Sequence, residues 1–356
     1  MHKPRSRSRQ PAVKSRLATG SRLMFAILTL ALCVGVASGA GSIFRDAART
    51  TTAAGARFGE PSGAHVLLGV VGPDPAGFDQ VTGKHHSLHV MFATWAGDVA
   101  GLINAEHADG RLPVLSLASA LSPVAIASGR EDARYLTLSS ALNGSGEDVW
   151  VRVLPEMNGS WNPWSAYDVS GRPRGPEWAQ AQFIRAFRRI ALILRGGTTA
   201  SINNKLRAIG QPPLRASGDV QPSGKVAIIW NPQGHGTPYV AANGPAAYWP
   251  GATYADIVAD DLYSDSGEPS WQGMNVLYAY GKPFLVAEWG LKGNDDPTFT
   301  SRMFSWVASH PRTIGLVYFN KGWSGGSDMF ELASKPRSLA IYRQAIRAPR
   351  YLATLP

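Results

Sequence analysis

Residues Val149–Trp164 read VWVRVLPEMNGSWNPW. Val149, Val151 and Val153 alternate with Trp150, Arg152 and Leu154 in a β-branched, aromatic-rich run that favours extended backbone. Pro155 ends the ladder because it has no N–H to donate. Glu156 is thereby placed at the C-terminal lip of a strand. In a parallel α/β barrel that lip carries the chemistry, whereas a carboxylate in mid-strand would face a dry core and need a partner. Trp161 and Trp164 follow in a loop punctuated by Gly159 and Pro163. Flat rings beside a carboxylate suit a pyranose, whose C–H face stacks on an indole while its hydroxyls bond to Asn and Arg. Taken alone, E-x-N-G-x-W is more safely read as a solvated glutamate with tryptophans filling a rim.

A second stretch shifts that balance. In Lys282–Gly290 (KPFLVAEWG), Phe284–Ala287 is a buried-strand run after a Lys-Pro entry, and Glu288 again occupies the C-terminal end. Six further runs have strand length: His65–Val71, Leu88–Thr94, Leu112–Leu117, Val226–Trp230, Asp256–Asp261 with Leu262-Tyr263, and Thr313–Phe319. Helical patterns lie between them, clearest in Trp178–Leu194, where Phe183, Phe187, Ile190 and Leu194 recur on one face with Arg185, Arg188 and Arg189 opposite. Residues 195–224, with Pro212, Pro213 and several glycines, read as an irregular excursion. Eight strands interleaved with helices imply a (β/α)₈ TIM barrel, one catalytic domain over residues 63–356.

The chain has 356 residues and a net charge of +10, which suggests nucleic acid until the charge is located. Residues 1–40 hold Lys3, Arg5, Arg7, Arg9, Lys14, Arg16 and Arg22 and no acid; without these seven, 28 basic face 25 acidic residues, an ordinary surface. No nucleic-acid partner is expected. The apolar run Leu23–Ala37 is shorter than the roughly 20 residues of a spanning helix and is followed by Ser38-Gly39-Ala40. An export signal cut after Ala40 is expected, with an uncleaved N-terminal anchor as the alternative and a linker over 41–62. The protein is then extracellular, or anchored facing outside with the membrane touched only through residues 1–40. The single cysteine, Cys33, lies in the apolar run, so no disulfide holds the domain.

Two carboxylates at the ends of strands four and seven meet the needs of glycoside hydrolysis. One protonates the departing oxygen and the other attacks the anomeric carbon, with the pair about 5–5.5 Å apart for retention. At these residues the chain resembles glycoside hydrolase family 26, the β-mannanase and β-1,3-xylanase family. RVLPEMNGSWNPW is similar to its acid/base motif and KPFLVAEWG to its nucleophile strand. IWNP (Ile229–Pro232), AYWPG (Ala247–Gly251) and Asp256–Tyr263 resemble its strand-five tryptophan, its Tyr-x-Pro-Gly turn and its strand-six tyrosine. The likeness covers most of residues 65–345. It implies a metal-independent retaining endo-glycanase without a cofactor, acting on a β-linked, mannan-like polysaccharide or oligosaccharide. Carried over, Glu156 is the acid/base and Glu288 the nucleophile; Tyr263 is expected either to donate to Glu288 and keep it ionised or to be a core tyrosine with a satisfied hydroxyl, its strand-end position favouring the site. Pro155 departs from the pattern, since characterised members usually carry a sugar-binding His there.

Further candidates come from position. Arg152 shares a strand face with Glu156 and is expected either to bond a carboxylate or to tie the barrel floor. Asn158 is expected to contact sugar, and Trp161, Trp164, Trp230 and Trp323 to offer platforms, with Trp230, on a strand, the one most suited to a core. His235 reads as a solvated loop residue. His85-His86 and His107 lack a carboxylate or cysteine at ligand spacing, and Asp260-Asp261 reads as a strand end with one residue in and one out, so no metal site is expected. Asn143-Gly144-Ser145 and Asn158-Gly159-Ser160 match the glycosylation sequon. A monomer is expected. Two rivals stand beside the hydrolase: an inactive barrel that binds glycan during wall or exopolysaccharide assembly, and a barrel of another glycanase family of the same clan, which usually has Asn where Pro155 stands.

Overall fold

The computed structural model describes residues 58–92, 97–321 and 329–356. The export segment, residues 41–57 of the linker and Trp323 lie outside them. Eight parallel strands pair in sequence: β1 (Val66–Val71), β2 (Leu88–Phe92), β3 (Leu112–Leu117), β4 (Val149–Val153), β5 (Val226–Trp230), β6 (Ile257–Tyr263), β7 (Phe284–Gly290) and β8 (Thr313–Phe319). β8 pairs with β1, and β1 with β2, so the sheet closes and leaves no edge open. A two-residue strand, β9 (Tyr351–Leu352), joins the entry of β1. All eight expected strands are present, and the fold is the expected (β/α)₈ barrel.

Buried on both faces, these strands read as nearly continuous apolar runs. Leu67, Val90, Val114, Trp150, Ile229 and Leu285 belong to the cluster that fills the lumen. The alternate residues pack outward under the helices α1 (Pro75–Thr82), α2 (Val99–Ala108), α3 (Pro123–Ala127), α4 (Asp132–Gly144), α5 (Gln180–Leu194), α6 (Thr199–Ala208), α7 (Gly267–Tyr278), α8 (Pro297–Ser309) and α9 (Pro336–Ala345).

Four sequence expectations need correction. The chain is already docked at Phe58: its carbonyl accepts from Trp150 Nε1 (2.7 Å) and its ring packs on the lumen cluster, so residues 58–62 are not free linker. In α5 the apolar stripe is buried as expected, but Arg189 is buried with it, forked onto both oxygens of Asp132 at 2.7 and 2.6 Å. The excursion at 195–224 contains α6, which starts at the Thr198 cap and buries only Ile202 and Leu206, too short a stripe to register as a helix. His85 and His86 do have a carboxylate. Asp79 takes a ring nitrogen of each and a bond from Arg111; burial pushes its carboxyl up, but these bonds prevail and hold it at about 2.

Candidate active site

The lumen ends in a polar layer at the C-terminal mouth. Arg152, 1% exposed, points inward two residues above Trp150 and spends its guanidinium on four partners. Nη1 donates to Glu288 Oε1 (2.6 Å) and Ser116 Oγ (3.1 Å), Nη2 to Asp261 Oδ2 (2.7 Å), and Nε to Asn231 Oδ1 (2.9 Å). Burial opposes its charge, but Asp261 and Glu288 outweigh that and keep it a cation. Strands three, four, six and seven and the residue that follows strand five each supply a member of this layer. Strand six supplies a second: Tyr263 Oη donates to Glu288 Oε2 at 2.5 Å. Burial and then the charge of Glu288 push the Tyr263 phenol well above its ordinary range, so it stays a donor.

Glu288 owes its direction to a bulge. The β6–β7 register runs Asp260 to Val286 and then Asp261 to Glu288, skipping Ala287. Ala287 packs in the lumen cluster, and strict alternation would send its successor outward. The extra residue turns Glu288 inward onto Arg152. Its neighbour Trp289 remains buried in the outer layer.

Glu156 reaches the same mouth through a tight backbone turn. Leu154 and Glu156 hold φ of +45° and +51° on either side of Pro155, a region that costs ordinary residues about 1 kcal/mol or more. Flanking bonds impose it: Leu154 N–H donates to Leu117 O (2.9 Å), Glu156 N–H to Asn231 O (2.6 Å), Trp164 Nε1 to Pro155 O (3.1 Å) and Asn162 Nδ2 to Glu156 O (2.9 Å). The partly exposed carboxylate then accepts from Trp161 Nε1 at Oε2 (2.8 Å) and from Gln233 Nε2 at Oε1 (3.2 Å). Gly159 lets the Trp161 ring fold back over it; a Cβ there would collide with the indole.

The two glutamates thus have different surroundings. Burial, and next the negative charge of Glu288, raise the Glu156 carboxyl above its ordinary range, while Trp161, Arg152 and Gln233 pull the other way. Glu288 faces a permanent cation and a phenol donor. The surroundings of the two carboxyls therefore differ: one is raised by burial and a neighbouring charge, the other is bonded by a guanidinium and a hydroxyl.

The remaining candidates divide by exposure. Trp161 is 52% exposed, and its face lies open beside Glu156. Trp164, 4% exposed, is packed in the outer core, so it is not a platform. Trp230 is fully buried against Trp249 and Tyr280, with Nε1 on Tyr248 O, and is core. Asn158 is fully buried, and its amide is spent on the backbone of Gln233, donating to the C=O (2.9 Å) and accepting from the N–H (2.8 Å). It ties two loops together and presents nothing to a sugar. Arg152 likewise acts through Glu288 and has no surface for substrate. Asn143, the other sequon, is also buried. His235 is half-buried rather than solvated, with Nδ1 3.1 Å from Ser270 Oγ.

Sequence reading missed Ser116, Asn231 and Gln233 and gave Asp261 no role. Asn231 and Asp261 follow the same signal as the glutamates, a polar residue closing an apolar strand; Gln233, inside a loop, gave none.

No family model matches the chain. Over 290 residues it is 24% identical to "Endoglucanase H" of Acetivibrio thermocellus, covering 76% of this chain and 28% of that one. Over 198 residues it is 26% identical to "Mannan endo-1,4-beta-mannosidase A and B" of Caldalkalibacillus mannanilyticus, covering 53% and 32%. The chain therefore spans about a third or less of these curated relatives. A solved GH26 β-mannanase from Bacteroides ovatus superposes with a TM-score of 0.56 at 14% identity over 88% of this chain and 93% of that one. In fold, the chain is a (β/α)₈ barrel similar to that of the solved GH26 β-mannanases.

Proposed function

We propose that this protein is an exported, retaining endo-glycoside hydrolase that cleaves a β-linked polysaccharide, with a β-mannan-type chain as substrate. The observation that carries this reading is the contrast in surroundings at the mouth: Glu288 is held between Arg152 and the Tyr263 hydroxyl, while burial and Glu288 itself raise the Glu156 carboxyl. In the first step a Glu288 oxygen attacks the anomeric carbon while the glycosidic C–O bond breaks and its oxygen takes the Glu156 proton. In the second, Glu156 removes a proton from water, whose oxygen attacks the same carbon and releases Glu288. Trp161 offers the stacking face for a sugar ring. The names of the relatives, an endoglucanase and a mannan endo-1,4-β-mannosidase, support a β-glycan, and the basic, apolar start of the chain supports export.

The test is to incubate the purified protein with β-mannan, β-1,3-xylan, mixed-linkage β-glucan and exopolysaccharides. New reducing ends and the anomeric NMR signals of the first products would be followed. Internal cleavage with β-configured first products is expected; α-configured products, or no cleavage of any polymer, would sink the reading.

A further inference from the structure

Gln233 is held more tightly than a loop residue needs to be. Its backbone N–H and C=O are both taken by the buried Asn158 amide, from the loop that carries Glu156. The next residue, Gly234, donates its N–H to Asp260 Oδ1 (2.9 Å) and lies so close to α7 that a Cβ would meet the Gly273 backbone at 2.8 Å. The side chain is fixed as well. Thr237 Oγ1 donates to Gln233 Oε1 (3.1 Å), which leaves the amide NH₂ to face Glu156 Oε1 (3.2 Å). Two loops, one helix and one strand end thus aim a single donor at one oxygen of the acid.

We propose that Gln233 is a positioning residue for Glu156, one whose amide covers Oε1 and directs the acid's proton toward the cleft; this rests on the assignment of Glu156 as acid/base. A carboxyl oxygen offers two lone pairs. Trp161 Nε1 occupies one on Oε2 and the Gln233 amide one on Oε1. An N–H donor cannot share its lone pair with a proton, so the acidic proton must sit on a lone pair that neither donor covers. Without Gln233 the proton gains a second resting place, pointing at the loop. The same bond favours the ionised carboxyl and opposes the lift from burial and from Glu288. Other charged and titratable groups facing Glu156 are Arg152, Asp260, Asp261 and Tyr263, all left in place by a change at Gln233.

Gln233→Met keeps the volume and, because Asn158 grips only the main chain, keeps the loop tie. Titrating the full-length protein labelled with δ-¹³C glutamate, with Glu156→Gln to assign the signal, should show the Glu156 carboxyl rising by about one pH unit in Gln233→Met. Gln233→Glu, which brings a second carboxylate to Oε1, should raise it further. The alkaline limb of kcat/KM should move up with it. Turnover of an unactivated β-glycan should fall about tenfold or more, while a dinitrophenyl glycoside, whose leaving group needs no proton, should be cleaved at close to the parent rate. An unmoved Glu156 signal, or equal losses on both substrates, would overturn the proposal. The NMR reading needs no turnover, so a missing activity that discredits the hydrolase assignment remains distinct from a Glu156 that ignores Gln233.

Discussion

Arg152 reaches across the barrel mouth from strand four to strand seven and meets Glu288 at 2.6 Å, Nη1 to Oε1. The same guanidinium holds Asp261 at 2.7 Å, so one buried cation compensates two buried carboxylates. Removing it strands both. Arg152→Met is expected to destabilise the fold by about 3–5 kcal/mol at neutral pH and to abolish turnover. Adding Asp261→Asn removes one stranded charge and should restore part of the stability. Urea unfolding of the single and double variants decides it; a double variant no more stable than the single would mean that Asp261 is not balanced by Arg152.

The barrel was legible because its strands are buried on both faces and so carry few polar interruptions before the chain reaches the mouth. A polar residue closing an apolar run is therefore a signal, and it singled out Glu156 and Glu288, while Tyr263 came from the resemblance of strand six. It did not reveal how Glu288 turns inward, since the skipped Ala287 is a matter of register between strands and leaves no mark in the sequence of either. Loop side chains follow no period either. Trp161 and Trp164 look alike three residues apart, yet one is half exposed and the other sealed beneath Pro155. Asn158 resembled a sugar ligand, and its true partner, the Gln233 backbone, lies 75 residues away.

Trp161 offers a ring face and an N–H, and two variants separate them. Trp161→Ala removes the face and is expected to lower kcat/KM by a factor corresponding to roughly 1–3 kcal/mol. Trp161→Phe keeps a ring but loses the bond to Glu156 Oε2. That bond favours the carboxylate, so without it the raised Glu156 pKa rises further and the acid keeps its proton to higher pH. The alkaline limb of the kcat/KM profile should then move upward. A limb that stays put, or moves down, would show that the indole N–H does not tune the acid.

Trp164 should behave in the opposite way. Its side chain is buried in the outer core and its Nε1 supports the Pro155 carbonyl, at the turn where Leu154 and Glu156 take positive φ. Trp164→Ala is expected to cost about 3–5 kcal/mol of stability, with KM for a given polymer little changed in the protein that remains folded. Thermal melts and steady-state kinetics at low temperature separate the two effects. A raised KM with an unchanged melt would return Trp164 to the sugar-binding surface.

The roles of the two glutamates predict different failures. Glu288→Ala removes the group that attacks the anomeric carbon, so turnover of every substrate should fall on the order of 10⁴-fold or more. Glu156→Ala removes the proton donor. A dinitrophenyl glycoside departs without a proton, so its first step should survive and the glycosyl–enzyme should accumulate, because no base remains to activate water. Azide needs no base. It should therefore attack the glycosyl–enzyme of Glu156→Ala from the face that the leaving group vacated and give a β-glycosyl azide. In Glu288→Ala it should fit the space left by the carboxylate, attack from the opposite face and give the α-azide. The anomeric coupling of each product distinguishes the two. Azide products of the same configuration from both variants would mean that Glu156 and Glu288 do not stand on opposite faces of the sugar, and the assignment would fall.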